Sequence, residues 1–269
     1  MAEHKLLRPY AKMLTAQVRS QAQYRSSFFI DMAVQTGFSA ADFVTVMVMF
    51  GVTTALGGFG LVDVLVISGV SATGFALADL TVGNVERLKT YVRTGLLDAM
   101  LIRPRRVLPQ LLVVDFQLRR VGRVAVGVTV LVVALTASDI DWTWWRIALI
   151  ATVPLAGALY FSAMFVMTAS VAFWWIESGE FANAFTYGGR ELTTYPINIY
   201  ANFFRNLFAF GLGFGFVAYY PTLLILGRPD PLGLPGWLGL AVFPVALIAA
   251  GLAALVWHNG IRHYKGTGS

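Results

Sequence analysis

The sequence predicts an all-α polytopic membrane protein with six transmembrane helices, an N-terminal amphipathic interfacial helix and a long amphipathic connection between spans 2 and 3. Composition is the first reason. Of 269 residues, 57% are hydrophobic and 13% charged, and mean hydropathy is +0.68, whereas a soluble domain carries about 25% charge. So few charges cannot clothe a soluble exterior, so much of the surface must face lipid. Segment length is the second reason: six apolar stretches reach the roughly 20 residues that cross a bilayer as a helix. They are 28–51, 61–83, 112–137, 144–176, 199–220 and 237–257. Barrel strands would alternate polar and apolar residues, but 124–135 and 240–256 are apolar on every face.

Residues 1–26 form the amphipathic helix. Leu6, Leu7, Tyr10, Met13, Leu14 and Val18 recur at helical spacing between Lys5, Arg8, Lys12, Arg19 and Arg25, a pattern suited to the headgroup plane. No uninterrupted apolar core sits there, so no cleavable signal peptide is expected. Residues 27–258 form the membrane domain and 259–269 a cytoplasmic tail. An even span count puts both termini on one side. Eighteen basic residues fall on the side of the amino terminus and the 84–110 connection, with Arg190 and Arg205 assigned there as a link between spans 4 and 5. Only Arg146 and Arg228 fall opposite, so that side is cytoplasmic.

Several spans carry polar residues, which are costly in lipid and mark function or packing. In the first span Asp31, Gln35 and Asp42 lie within about 40° of one another on a helix, a stripe that could line a path or bind neighbouring helices. In the third, Asp115, Arg119 and Arg123 stack at i, i+4, i+8. The apolar part beyond them, 124–137, is about 21 Å long, short of the roughly 30 Å needed. Arg119 and Arg123 must therefore reach the inner boundary, there to snorkel or to pair with Asp31 or Asp79. Trp142, Trp144 and Trp145 at one end of the fourth span and Trp174 and Trp175 at the other fit aromatic belts. Gly211, Gly213 and Gly215 in the fifth suit close helix packing first, and otherwise a flexible point in a moving helix. Beyond it, 221–236 holds Pro221, Pro229, Pro231 and Pro235, which suits a turn-rich outer cap, with Tyr220 and Pro221 at its start, or a segment that re-enters the membrane.

The 84–110 connection is longer than a linker needs. Val85, Leu88, Val92 and Leu96, extended by Leu97 and Leu101, make an apolar stripe opposite Glu86, Lys89 and Arg93, with Gly95 as a bend or break. Such an element either docks a soluble partner or caps the bundle along the membrane. Gly95-Leu96-Leu97-Asp98, Leu101 and Arg103-Pro104, then Tyr219-Tyr220-Pro221, then Trp257-His258-Asn259-Gly260-Ile261-Arg262-His263-Tyr264 give the chain a resemblance. It resembles permease subunits of ABC-2-type ATP-binding-cassette exporters, in the branch of small six-span bacterial proteins. The resemblance implies that the connection is the coupling helix, seated in a cleft of an ATPase subunit. Gly95, Leu96, Asp98, Leu101, Arg103 and Pro104 match its motif, and Glu86, Arg87 and Tyr91 just before them are grouped with it. It further implies two separate ABC ATPase subunits that bind ATP and Mg, a second permease that is identical or homologous, and the bacterial inner membrane. No nucleic-acid partner is expected.

The chain itself is expected to be no enzyme and to hold no cofactor. Its four lysines, Lys5, Lys12, Lys89 and Lys265, all stand outside the Gly-x-x-x-x-Gly-Lys-Ser/Thr loop that cradles phosphates. There is no cysteine, hence no disulfide, thiolate metal site or cysteine nucleophile. Ser71, mid-span in Gly69-Val70-Ser71-Ala72-Thr73-Gly74, loosely suggests a hydrolase serine, but His4, His258 and His263 all sit at cytoplasmic ends, far from acting as its base. The alternatives are an ATPase-independent channel or secondary transporter, or a structural membrane protein.

Overall fold

The computed structural model describes the backbone of residues 2–23, 25–264 and 266, and the side chains among them from Tyr10 onward except those at 11, 22, 25 and 27. Lys265, and the side chains of His4, Lys5, Leu6, Leu7, Arg8 and Arg25, lie outside the described residues. The described chain is helical, with one isolated bridge, Leu56–Phe59. Helix α1 (Ala2–Gln23) leads to α2 (Arg25–Val52), and after a loop comes α3 (Leu61–Val82). A 3₁₀ turn and two one-turn helices follow, α4 (Leu88–Arg93) and α5 (Leu96–Leu101), then α6 (Val107–Val114), α7 (Val121–Thr136) and α8 (Trp144–Ser170). The chain continues through α9 (Gly179–Thr194), the single turn α10 (Asn202–Phe204), a π-helix (Arg205–Gly211), α11 (Tyr219–Leu226) and α12 (Val242–His263).

Helix α3 is the centre of the bundle. It is buried along most of its length, from Val64 to Asp79, because α7, α8 and α9 wrap it. Small residues let the backbones meet: a Cβ at Gly127 of α7 would stand 3.0 Å from the Thr73 nitrogen of α3. Helix α2 is peripheral, with Ile30, Phe38, Val48 and Val52 exposed, as a lipid-facing helix should be. Among the described residues, four helical stretches are long and apolar enough to cross a membrane: Phe28–Val52, Leu61–Arg93, Trp144–Phe173 and Gly236–His263. A fifth candidate is the pair Asn202–Gly211 and Phe214–Leu226, bent by 68°. Trp142 and Trp144 are exposed at one end of the bundle, the loop end, and Trp174 and Trp175 at the other, the basic end.

Three expectations need correction. The 112–137 span is broken, because α6 stops at Val114 and a 3₁₀ turn, Leu118–Arg120, precedes α7. Five of the nine residues 115–123 are charged or amide-bearing, and each finds a polar partner that a straight apolar helix would deny it. The freed backbone groups are met by α1: the Gln17 amide donates to Val114 O, the Gln21 amide donates to Phe116 O, and Leu118 N donates to Gln21 Oε1 at 3.0 Å. Tyr10, Met13, Leu14, Gln17, Val18 and Gln21 form the half-buried stripe of α1, with Lys12 and Arg19 exposed.

The link between spans 4 and 5 is the second. Gly179, at the start of α9, abuts the Lys89 side chain at the basic end, while Asn198, just past its end, donates to Gly57 O at 2.6 Å at the loop end. Helix α9 therefore traverses the bundle, which puts Arg190 at mid-depth and Arg205, bonded to Asn202 Oδ1 at 2.6 Å, at the loop end. The third correction follows: 199–220 is no single crossing. From Asn198 it descends to Leu212, whose carbonyl accepts from Tyr160 Oη at 2.7 Å in the middle of α8, and returns to Tyr219, whose ring meets Phe59 at the loop end. The reversal is made at Gly213 with φ +90°, open to glycine and strained for other residues. The 221–236 stretch accordingly begins as helix α11, with Pro221 in its first turn, where a missing N–H costs nothing.

Candidate functional site

The basic end carries the two-part element. Val85, Leu88, Val92, Leu97 and Met100 are buried and fix it to the bundle; Gly95, with φ +70°, turns the chain between α4 and α5. What that leaves outward is apolar: Leu96 is 49% exposed, Leu101 41% and Ile102 85%, with half-buried Asp98 between the first two and exposed Arg103 and Pro104 after the last. Glu86, Arg87 and Tyr91 instead bind within the chain. Glu86 accepts from Tyr187 Oη at 3.2 Å, Arg87 pairs with Asp115 at 3.1 Å, and Tyr91 Oη donates to the same carboxylate. Arg93 pairs with Glu177 in the link between α8 and α9, and Gln110 Nε2 donates to Met100 O at 3.2 Å. The outward tip is thus tied to the α6–α7 break and to the α8–α9 link.

Beneath it lies a buried charge cluster. Asp79 is fully buried and bridges Arg120 at 3.0 Å and Arg123 at 2.9 Å, and Arg120 also donates to Asp79 O at 2.5 Å. An unpaired carboxylate at that depth would be very costly, so the two guanidiniums are what make it tolerable. Arg120 was not among the residues the spacing singled out, because it stands off the i, i+4, i+8 stack of Asp115, Arg119 and Arg123. The first-span stripe is taken up by separate partners. Asp31 pairs with Arg119 at 3.2 Å, half-exposed, and Asp42 with Arg190 at 2.5 Å, whose guanidinium also stands 5.3 Å from the Phe75 ring centre. Gln35 Oε1 is buried with no hydrogen-bond partner among the described residues.

Other polar side chains tie helices together. Ser71 Oγ is 2.6 Å from Thr193 Oγ1, and Ser68 Oγ donates to Thr194 O at 2.8 Å, so the serines fasten α3 to α9. At the loop end Tyr219 Oη donates to Asp230 Oδ1 at 2.9 Å, Arg228 pairs with Asp63 at 3.4 Å, and Tyr220 and Pro221 are buried beneath them.

An all-helical bundle with apolar membrane-length helices and paired internal charges defines a multi-pass membrane protein. The chain matches the family described as ABC-2 family transporter protein over residues 37–268, and it belongs to that family. Its role is therefore that of a permease in an ABC transporter, and permeases of this family generally pair with ABC ATPase subunits. No match was found among curated proteins or solved structures.

Proposed function

We propose that the chain is the membrane-spanning subunit of an ATP-driven exporter, working with a second permease, identical or homologous, and two separate ATPase subunits that bind ATP and Mg. Six crossings are supplied by α2, α3, the broken α6–α7 pair, α8, α9 and α12, with 200–226 as a re-entrant hairpin. At 16 residues each, α7 and α9 are about 24 Å long. They still complete the bundle because α6 and the 195–199 segment extend them. With Arg205 at the loop end and Arg190 internal, the basic excess remains with the amino terminus, which supports cytoplasmic termini in a bacterial inner membrane.

The observation that carries this reading is the exposed Leu96, Leu101 and Ile102 on a tip held by buried Leu97 and Met100. An apolar tip on a rigid mount suits a cleft in a soluble partner. ATP-driven closure of the ATPases would displace α4–α5, and the Arg87–Asp115 and Arg93–Glu177 pairs would pass that displacement to α7, α8 and α9, shifting the balance between two bundle arrangements. Because the membrane charges pair with one another, an amphipathic or lipid-like cargo fits better than a highly charged one. The test is affinity purification from native membrane in mild detergent, with Leu96→Asp/Leu101→Asp beside the unaltered chain. Recovery of a nucleotide-binding ATPase that the variant loses is the expected result. No ATPase with either form would move a channel or structural role ahead.

A further inference from the structure

Between α6, α8 and α12 a groove of about 760 Å³ opens on the side of the bundle. Its floor is made of small residues, Ala163 on α8 and Ala250, Ala253 and Ala254 on α12. Along α12 it runs from Ala250 to Ile261, a rise of roughly 16 Å, close to one leaflet of a core about 30 Å thick. At the basic end its mouth is lined by Arg105, Arg106 and His258, and no acidic residue lines it among the described residues. Neither Arg105 nor Arg106 is in an ion pair among the described residues; Arg105 is braced only by Tyr10 of α1, its guanidinium 5.7 Å from the ring centre.

We propose that this groove binds an anionic glycerophospholipid of the adjoining leaflet. One acyl chain lies along the alanine floor, and the phosphate sits between Arg105 and Arg106 with the His258 imidazole as a further donor. Length, apolar floor and a mouth of unopposed positive charge select a lipid over a soluble anion, which would gain nothing from the floor, and over a protein helix, which would find no counter-charge for the lipid-facing remainder. Leu101 of α5 lines the same groove, so the bound lipid stands directly behind the exposed tip. The inference needs only that the chain spans a bilayer, and it survives if the ATPase reading fails.

The test is native mass spectrometry of the full chain in neutral detergent, titrated with phosphatidylglycerol or phosphatidylcholine of identical acyl chains. About five-fold selectivity per arginine predicts on the order of twenty-fold preference for phosphatidylglycerol. Arg105→Gln/Arg106→Gln should abolish the preference while lipid is still retained, and Ala254→Phe, checked for an unchanged melting temperature, should reduce retention of both lipids. Arg262→Gln, exposed at the same end but outside the groove, should change nothing. Equal retention by the unaltered chain, a preference that survives the double substitution, an equal fall with Arg262→Gln, or displacement by millimolar glycerol phosphate would each overturn the proposal.

Discussion

Asp79 concentrates the residue-scale argument. Replacing it with Asn leaves Arg120 and Arg123 without their carboxylate inside the bundle, and breaking a buried pair in this way costs about 3–5 kcal/mol. Asp79→Asn should therefore lower the detergent-solubilised melting temperature far more than Asp31→Asn, whose half-exposed pair with Arg119 is worth no more than about 1 kcal/mol. A double-mutant cycle on Asp79 and Arg123 should show strong coupling; additive losses would refute the bridge. The depth of Arg123, with Asp79 as one partner in reach, was legible because the apolar run beyond Arg123 is too short to leave it outside. Arg120 was not, because stacking at i, i+4 assumes 100° per residue, and the 3₁₀ turn at Leu118–Arg120 advances about 120° per residue, turning Arg120 toward α3.

At the scale of elements, hydropathy misplaced the fifth crossing. Helix α9 carries Glu180, Asn183, Arg190 and Glu191 and reads as a polar link, yet Arg190 pairs with Asp42 of α2, Thr193 and Thr194 bond Ser71 and Ser68 of α3, and the helix runs through the bundle. The 199–220 stretch reads as a span because it is apolar, and it turns back because Gly213 permits φ +90°. Spans 1, 2, 4 and 6 and the bend at Gly95 were legible, since each rests on a long apolar run or a lone glycine between polar residues. The native chain has no cysteine, so single-cysteine labelling is clean: Ala201→Cys and Pro229→Cys should react with an impermeant maleimide from the same face. Labelling from opposite faces would restore a single crossing at 199–220. Gly213→Ala should destabilise by about 1–3 kcal/mol in thermal unfolding, with a Cβ only 2.9 Å from Val245 Cγ1.

Across the whole molecule, α1 is part of the fold. Its Gln17 and Gln21 complete the backbone of the α6–α7 break, so Gln17→Ala/Gln21→Ala should leave those groups unmet at about 1–3 kcal/mol each and show faster amide exchange at 114–118. Exchange as slow as in the unaltered chain would mean that the break stays closed without the glutamines. The mid-depth pair Asp42–Arg190 has a different consequence. Its two charges sum to zero and are held 2.5 Å apart, so a rigid-body motion that carries both through the bilayer's electric field moves no net charge. A membrane potential contributes about 2.3 kcal/mol per elementary charge per 100 mV; through this pair it contributes nothing. A rigid-body rearrangement there would be electrically silent, and under the proposed function the work that drives it would arrive mechanically, from the end where the apolar tip stands.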